Sequence, residues 1–302
     1  MITADAHCDT LTKFEDNPFY SKEAAWNIKK FRKSGGILQY MAIFIGPPNH
    51  GDSAMRLAVN ALGNFHRRKP NELNLLEKAS DFNDKKINIV LTLEGASPVI
   101  DDISNLYAYY KLGVRLITLT WNHRNFLADG VGVKEGYGLT DFGKRAVKEM
   151  ERLKIIVDVS HLNEAGFQNL CTFAQRPFVA SHSNAYDIHP HVRNLKKYQI
   201  EEIIKRNGFI GLNFYAAFLD KSHDRNILIK KLLENAAYFL NLGGEDVLGI
   251  GADFDGMTES PFEDAAAYPE FAELLEKELG LKSEIVEKIM YKNLVDFTLK
   301  MI

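Results

Sequence analysis

Three observations predict a (β/α)8 barrel: eight short apolar runs, amphipathic stretches between them, and polar residues collected just where the runs end. The runs occupy residues 2–6, 37–45, 87–93, 116–120, 155–159, 178–180, 209–212 and 247–250, and their β-branched content suits strands. They are nearly continuous rather than alternating, as expected of strands covered by helices on one face and by barrel core on the other.

Taken in order, the first run leads into His7-Cys8-Asp9, and Gly35-Gly36 reverses the chain before the second. Residues 51–84 form a long connection expected to hold two helices. The third run ends at Glu94-Gly95. The fourth exits through Trp121-Asn122-His123-Arg124-Asn125, where polar groups flank an aromatic ring that could line a pocket or pack between barrel and helix. Thr140 is the expected N-cap of a helix carrying Phe142, Ala146, Val147 and Met150 on one face. The fifth run ends at Ser160-His161 and the sixth at Ser181-His182. A helix bearing Ile227, Leu232, Leu233, Ala236, Ala237 and Leu240 precedes Gly243-Gly244 and the eighth run. That run exits through Gly251-Ala252-Asp253-Phe254-Asp255-Gly256. Residues 281–302 read as a closing terminal helix. With no linker, repeat or low-complexity segment, the expectation is a single barrel domain over residues 1–302.

The 302 residues carry 37 basic and 40 acidic side chains, a formal charge of −3, and are 46% hydrophobic. A large core is therefore available, and no basic stripe points to nucleic acid. Cys8 and Cys171 form no C-x-x-C pair, which fits a reducing compartment. The N-terminus lacks a signal pattern, and no apolar run approaches the roughly 18 residues of a membrane span. The expectation is a cytoplasmic protein without membrane contact.

In a barrel the C-terminal strand ends share one face, so His7, Asp9, Glu94, His161, His182 and Asp253 should meet there. Residues i and i+2 of an extended strand point the same way, which lets His7 and Asp9 address one cavity while Cys8 faces away. Each has an ordinary alternative, such as a turn at Glu94-Gly95 or a helix cap at His161. Their joint placement favours a metal site. Imidazoles with carboxylates suit zinc or a similar divalent ion, and three histidines with two or three acids suffice for two ions. Asp253, nearer its strand than Asp255, is the candidate proton shuttle. His189-Pro190-His191 reads as a loop of exposed imidazoles. Arg193, whose guanidinium can grip a carboxylate in two parallel hydrogen bonds, is the candidate substrate anchor.

These residues also carry a resemblance. Asp5-Ala6-His7-Cys8-Asp9, Leu93-Glu94-Gly95, Gly138-Leu139-Thr140-Asp141-Phe142-Gly143, Val157-Asp158-Val159-Ser160-His161, Ser181-His182-Ser183, His191-Val192-Arg193-Asn194 and Gly251-Ala252-Asp253-Phe254-Asp255-Gly256 stand in an order that is specific. The sequence resembles the membrane (renal) dipeptidase family of zinc peptidases, peptidase family M19, over nearly the whole chain and in its bacterial form. The resemblance implies a TIM barrel of the metal-dependent, amidohydrolase-like type. It implies two zinc ions, one bound by His7 and Asp9, the other by His161 and His182, with Glu94 bridging. Asp253 then matches the catalytic acid/base and Arg193 the ligand of the substrate carboxylate.

Two positions depart from the family pattern. Trp121 stands where members commonly carry a histidine that contacts the substrate carbonyl, and His123 would replace it if the chain stays extended. Tyr291-Lys292-Asn293 stands for a frequent Gly-Gly-Asn and bears on helix packing. The implied activity is hydrolysis of dipeptides by a hydroxide activated by two zinc ions. The alternatives are a related barrel acting on another amide or lactone, such as an N-acyl amino acid or β-lactam, and a non-catalytic metal-binding protein. The expected partner is a dipeptide or similar small amide, and a homodimer is compatible with the sequence.

Overall fold

A computed structural model describes residues 1–302. Its strands are β1 (Thr3–Cys8), β2 (Gly36–Phe44), β3 (Leu73–Leu75), β4 (Ile87–Glu94), β5 (Val114–Thr118), β6 (Ile156–Asp158), β7 (Val179–Ala180), β8 (Phe209–Leu212) and β9 (Leu248–Ile250). All named pairings are parallel, and contact between β2 and β4 closes β1, β2 and β4 to β9 into an eight-stranded barrel. Helices connect the strands, as parallel crossovers require.

Residues 51–84 correct the expected pair of helices. One helix, Gly51–Arg68, is followed by β3 and a 3₁₀ turn at Ala79–Asp81. Pro70 stops the helix by excluding helical backbone at Lys69, and Leu73 and Leu75 flank Asn74 in strand alternation. β3 pairs with the start of β4, from Leu73 opposite Ile87 to Leu75 opposite Ile89, before β5 takes over that edge at Leu91.

Inside the barrel, Ala4, Tyr40, Val90, Leu116, Ile156, Val179 and Phe209 form an apolar layer, one residue from each of seven strands. Leu294, Phe297 and Met301 of the terminal helix join that cluster and plug the barrel's lower end. The helical turns run through Ser283–Glu287, a π turn at Lys288–Lys292 and Asn293–Met301. Asn293 Nδ2 donates to the carbonyls of Glu245 and Leu248, both at 2.8 Å, tying this helix to the approach to β9. A larger cluster, containing Cys8, Met41, Ile89, Leu91 and Ile117, packs the barrel's outside against the helices.

Thr140 accepts the Gly143 N–H at 2.9 Å and caps helix Asp141–Leu153, which buries Ala146, Val147 and Met150. Helix Arg225–Asn241 buries Leu228, Leu232, Leu233, Ala236 and Phe239 but leaves Ile227 exposed and Leu240 half-buried. Its core face is therefore rotated from the expected one, because Leu228, Leu232, Ala236 and Phe239 form an i, i+4, i+8, i+11 stripe that Ile227 does not join. No helix is long and apolar enough to cross a membrane.

Candidate metal centre

The residues predicted at strand ends do gather above the apolar layer, but simple alternation does not put them there. Ala4 and Ala6 face the barrel interior, whereas Asp5 turns outward to the Tyr268 hydroxyl at 2.7 Å. Strict alternation would send His7 outward too. The register between β1 and β2 slips between Asp5 and Cys8, and this bulge turns His7 inward while Cys8 packs in the outer cluster. His161 and Asp253 are re-aimed differently, each by a left-handed backbone with φ of 67° just past its strand.

The ligand atoms form three overlapping groups, each within 4.8 Å: His7, Asp9 and Glu94; Glu94, His161 and His182; and His7, His182 and Asp253. Glu94 belongs to the first two through different oxygens. Its Oε2 lies 3.5 Å from His7 Nε2, and its Oε1 lies 3.0 Å from His161 Nε2 and 3.7 Å from His182 Nε2. Asp9 Oδ2 is 3.4 Å from His7 Nε2.

The surrounding bonds set which imidazole nitrogen is free. Ser181 Oγ donates to Asp158 Oδ2 at 2.6 Å, so at 2.7 Å it accepts from His182 Nδ1. Asn122 Oδ1 lies 2.8 Å from His161 Nδ1 and accepts its proton. Both Nε2 atoms then present lone pairs to one another at 3.0 Å, beside the Glu94 carboxylate. His7 Nε2 and Asp9 Oδ1 are buried without a hydrogen-bond partner. Converging acceptors with no donor between them fit a cation, and imidazole with carboxylate is a zinc-type donor set.

The electrostatics agree. Burial and the charge of Arg193 push His161 down to about 4, and burial with His7 holds His182 well below its ordinary range, leaving both imidazoles neutral, the form in which histidine binds a metal. Burial opposes charge on Glu94, yet His7 and His161 hold it well below the usual carboxylate range. Burial also works against a proton on His7, but Glu94 and Asp9 raise it strongly, so this point calls for positive charge.

Residues 1–299 match the family model described as membrane dipeptidase, peptidase family M19. The chain belongs to this family. It is 34% identical over 219 residues to an uncharacterised protein in the pqqA 5′ region of Klebsiella pneumoniae, covering 70% of this chain and 80% of that one. It is 30% identical over 236 residues to an uncharacterised dipeptidase of Schizosaccharomyces pombe, covering 74% of this chain and 57% of the yeast protein. Among solved structures it superposes on a metallopeptidase, dipeptidase AC, with a TM-score of 0.91 at 26% identity, covering 100% of this chain and 98% of the other. Family membership makes this a metal-dependent dipeptidase on a TIM barrel.

Around the dipeptidase centre, the other predicted residues fall into place unequally. Asp253 Oδ1 lies 3.8 Å from His7 Nε2, while its Oδ2 accepts from Asn213 Nδ2 at 3.0 Å. Burial pushes its carboxyl up to about 6; His7 pulls it down and Glu94 adds to the rise. Asp255 instead accepts from Thr10 Oγ1 at 2.6 Å and from the backbone of Ala25 at 2.7 Å, a bracing role. Arg193 is buried; Nη2 donates to the His182 carbonyl at 3.1 Å and Nε has no partner. His189 and His191 are half-buried rather than exposed, and His191 Nδ1 accepts the Arg193 N–H at 3.2 Å.

A cavity of about 1040 Å³ lies over Asp9, Glu94, His161 and Asp253, and Trp121 lines it. His123 does not take the expected place. The chain bends after β5 instead of staying extended, so His123 is exposed, its ring 5.4 Å from that of Trp121. Asn122 is the residue from this segment that reaches the centre. Asn122, Asp158 and Asn213 carried no ligand signal in the sequence.

Proposed function

We propose that this dipeptidase holds two zinc ions, His7 and Asp9 binding one, His161 and His182 the other, with Glu94 between them. The observation that carries this reading is the splay of the two Glu94 oxygens toward two separate ligand groups. Zinc, when bound, polarises a carbonyl and brings the pKa of water down to about 7. The chain's own groups do the rest. Asp253, held through Oδ2 by Asn213, keeps Oδ1 free on the cluster side to take the proton of the attacking water. It returns that proton to the departing amine. Arg193, with one N–H unpaired beside the cluster, anchors the C-terminal carboxylate and so sets the bond next to the C-terminal residue over the cluster. The unpaired cysteines, Cys8 and Cys171, support a reducing, cytoplasmic setting.

The test is release of free amino acids from dipeptides by the purified protein. Activity should vanish with chelator and return with two equivalents of zinc per chain by elemental analysis. Full activity after complete metal removal would sink the proposal. Turnover of N-acyl amino acids, β-lactams or lactones in place of dipeptides would shift it to a related metallohydrolase.

A further inference from the structure

The Arg193 guanidinium sits 5.2 Å from the ring of Phe218, which lines the larger cavity, but Arg193 itself opens elsewhere. Arg193 lines a second cavity of about 660 Å³ and is absent from the walls of the first; His161 lines both. If Arg193 takes the C-terminal carboxylate, as proposed above, the reacting carbonyl sits over the ligand cluster. The N-terminal residue then projects into the cavity of about 1040 Å³. That volume reaches the upper end of the roughly 300–1,000 Å³ that accommodate drug-sized ligands, so glycine or alanine would leave most of it to water.

Next to the centre this cavity has an aromatic wall. The rings of Trp121 and Phe44 are 5.3 Å apart and tilted by 57°, and Trp121 stands 6.1 Å from the His161 ring. Both aromatic side chains are half-buried, leaving ring surface for a ligand. The wall is fixed in place by Gly95, whose φ is +86°: a Cβ there would lie 3.2 Å from the Trp121 nitrogen. The backbone of Trp121 is thus packed against the residue that follows Glu94. Away from the acids of the floor, the charged side chains lining the cavity are Lys13 and Glu15, exposed and opposite in sign. They give no net preference for a charged side chain.

We infer that Trp121 and Phe44 form the receiving surface for the N-terminal side chain of the substrate, and that this dipeptidase prefers a large apolar or aromatic residue there. The inference rests on the dipeptide reading given above. Stacking on two rings and burial in an otherwise water-filled cavity discriminate by about tenfold or more in kcat/KM.

The zinc-loaded enzyme is assayed on Phe-Ala, Leu-Ala, Ala-Ala and Ala-Phe. Phe-Ala and Leu-Ala should exceed both Ala-Ala and Ala-Phe by about tenfold or more in kcat/KM. In Trp121→Ala the ratio of Phe-Ala to Ala-Ala should fall toward one, chiefly through KM, while Trp121→Phe retains it. Phe44→Leu probes the other ring should Trp121→Ala fail to fold, and should lower the same ratio. Equal rates on Phe-Ala and Ala-Ala, or a preference for Ala-Phe, would overturn the inference and leave the dipeptidase standing. Failure to hydrolyse any of the four would overturn the dipeptide reading and this inference with it.

Discussion

Asp253, the proposed proton shuttle, depends on a neighbour for its orientation. Asn213, just beyond β8, donates to Asp253 Oδ2 and leaves Oδ1 facing the cluster. Asp253→Asn keeps the shape and removes the base, so kcat should fall by about 10²–10⁴ with zinc content unchanged. Asn213→Ala acts more subtly. The lost hydrogen bond favours the charged carboxylate, so its removal raises the pKa of Asp253. The base must be ionised to work, and the acid limb of kcat/KM should therefore move to higher pH. An unmoved limb with a uniform loss of rate would show that Asn213 only supports the fold. Such effects belong to single atoms, and the sequence carries no trace of them: Asn213 follows an apolar run like any strand-ending polar residue.

At the scale of elements, three strands are cross-linked by one buried carboxylate. Asp158 at the end of β6 accepts from Thr118 Oγ1 of β5 at 2.7 Å, from the Ser181 N–H at 3.0 Å and from Ser181 Oγ at 2.6 Å. Ser181 in turn accepts from His182 Nδ1, so the ends of β5, β6 and β7 act together to keep His182 Nε2 free. Removing the link with Ser181→Ala should cost about 10–100-fold in zinc affinity, measured by competition with a chromophoric chelator. An unchanged affinity would mean that packing alone orients the ring. The convergence of His7, Asp9, Glu94, His161, His182 and Asp253 is legible in the sequence because barrel topology brings strand ends together, whatever the local backbone does. The route by which each reaches the centre is not. The bulge that turns His7 inward is a register slip between β1 and β2, fixed by pairing over 30 residues away in sequence. Likewise β3, at Leu73–Leu75, is too short to show as an apolar run and exists only because β4 offers an edge before β5 begins.

At the scale of the whole molecule, the barrel is closed below by the terminal helix and carries above it the cluster of His7, Asp9, Glu94, His161, His182 and Asp253, all six buried. Burying Asp9, Glu94 and Asp253 together is unfavourable without positive charge, since carboxylates crowded out of water repel one another. A cation bound only by the folded barrel therefore adds to its stability. At a free zinc concentration about 1,000 times Kd one site contributes about 4 kcal/mol. For a chain of this size each kcal/mol moves Tm by a few degrees, so chelation should lower Tm by something on the order of 10 °C. Adding back zinc should restore it, saturating at two equivalents. His182→Ala removes one ligand from the group shared with Glu94 and His161, and should blunt the response without abolishing it, because His7 and Asp9 remain. If chelation strips the metal yet leaves Tm unmoved, the barrel holds the cluster unaided, and protons on His7 and on the raised carboxyls of Asp9 and Asp253 must supply the balance that zinc is expected to provide.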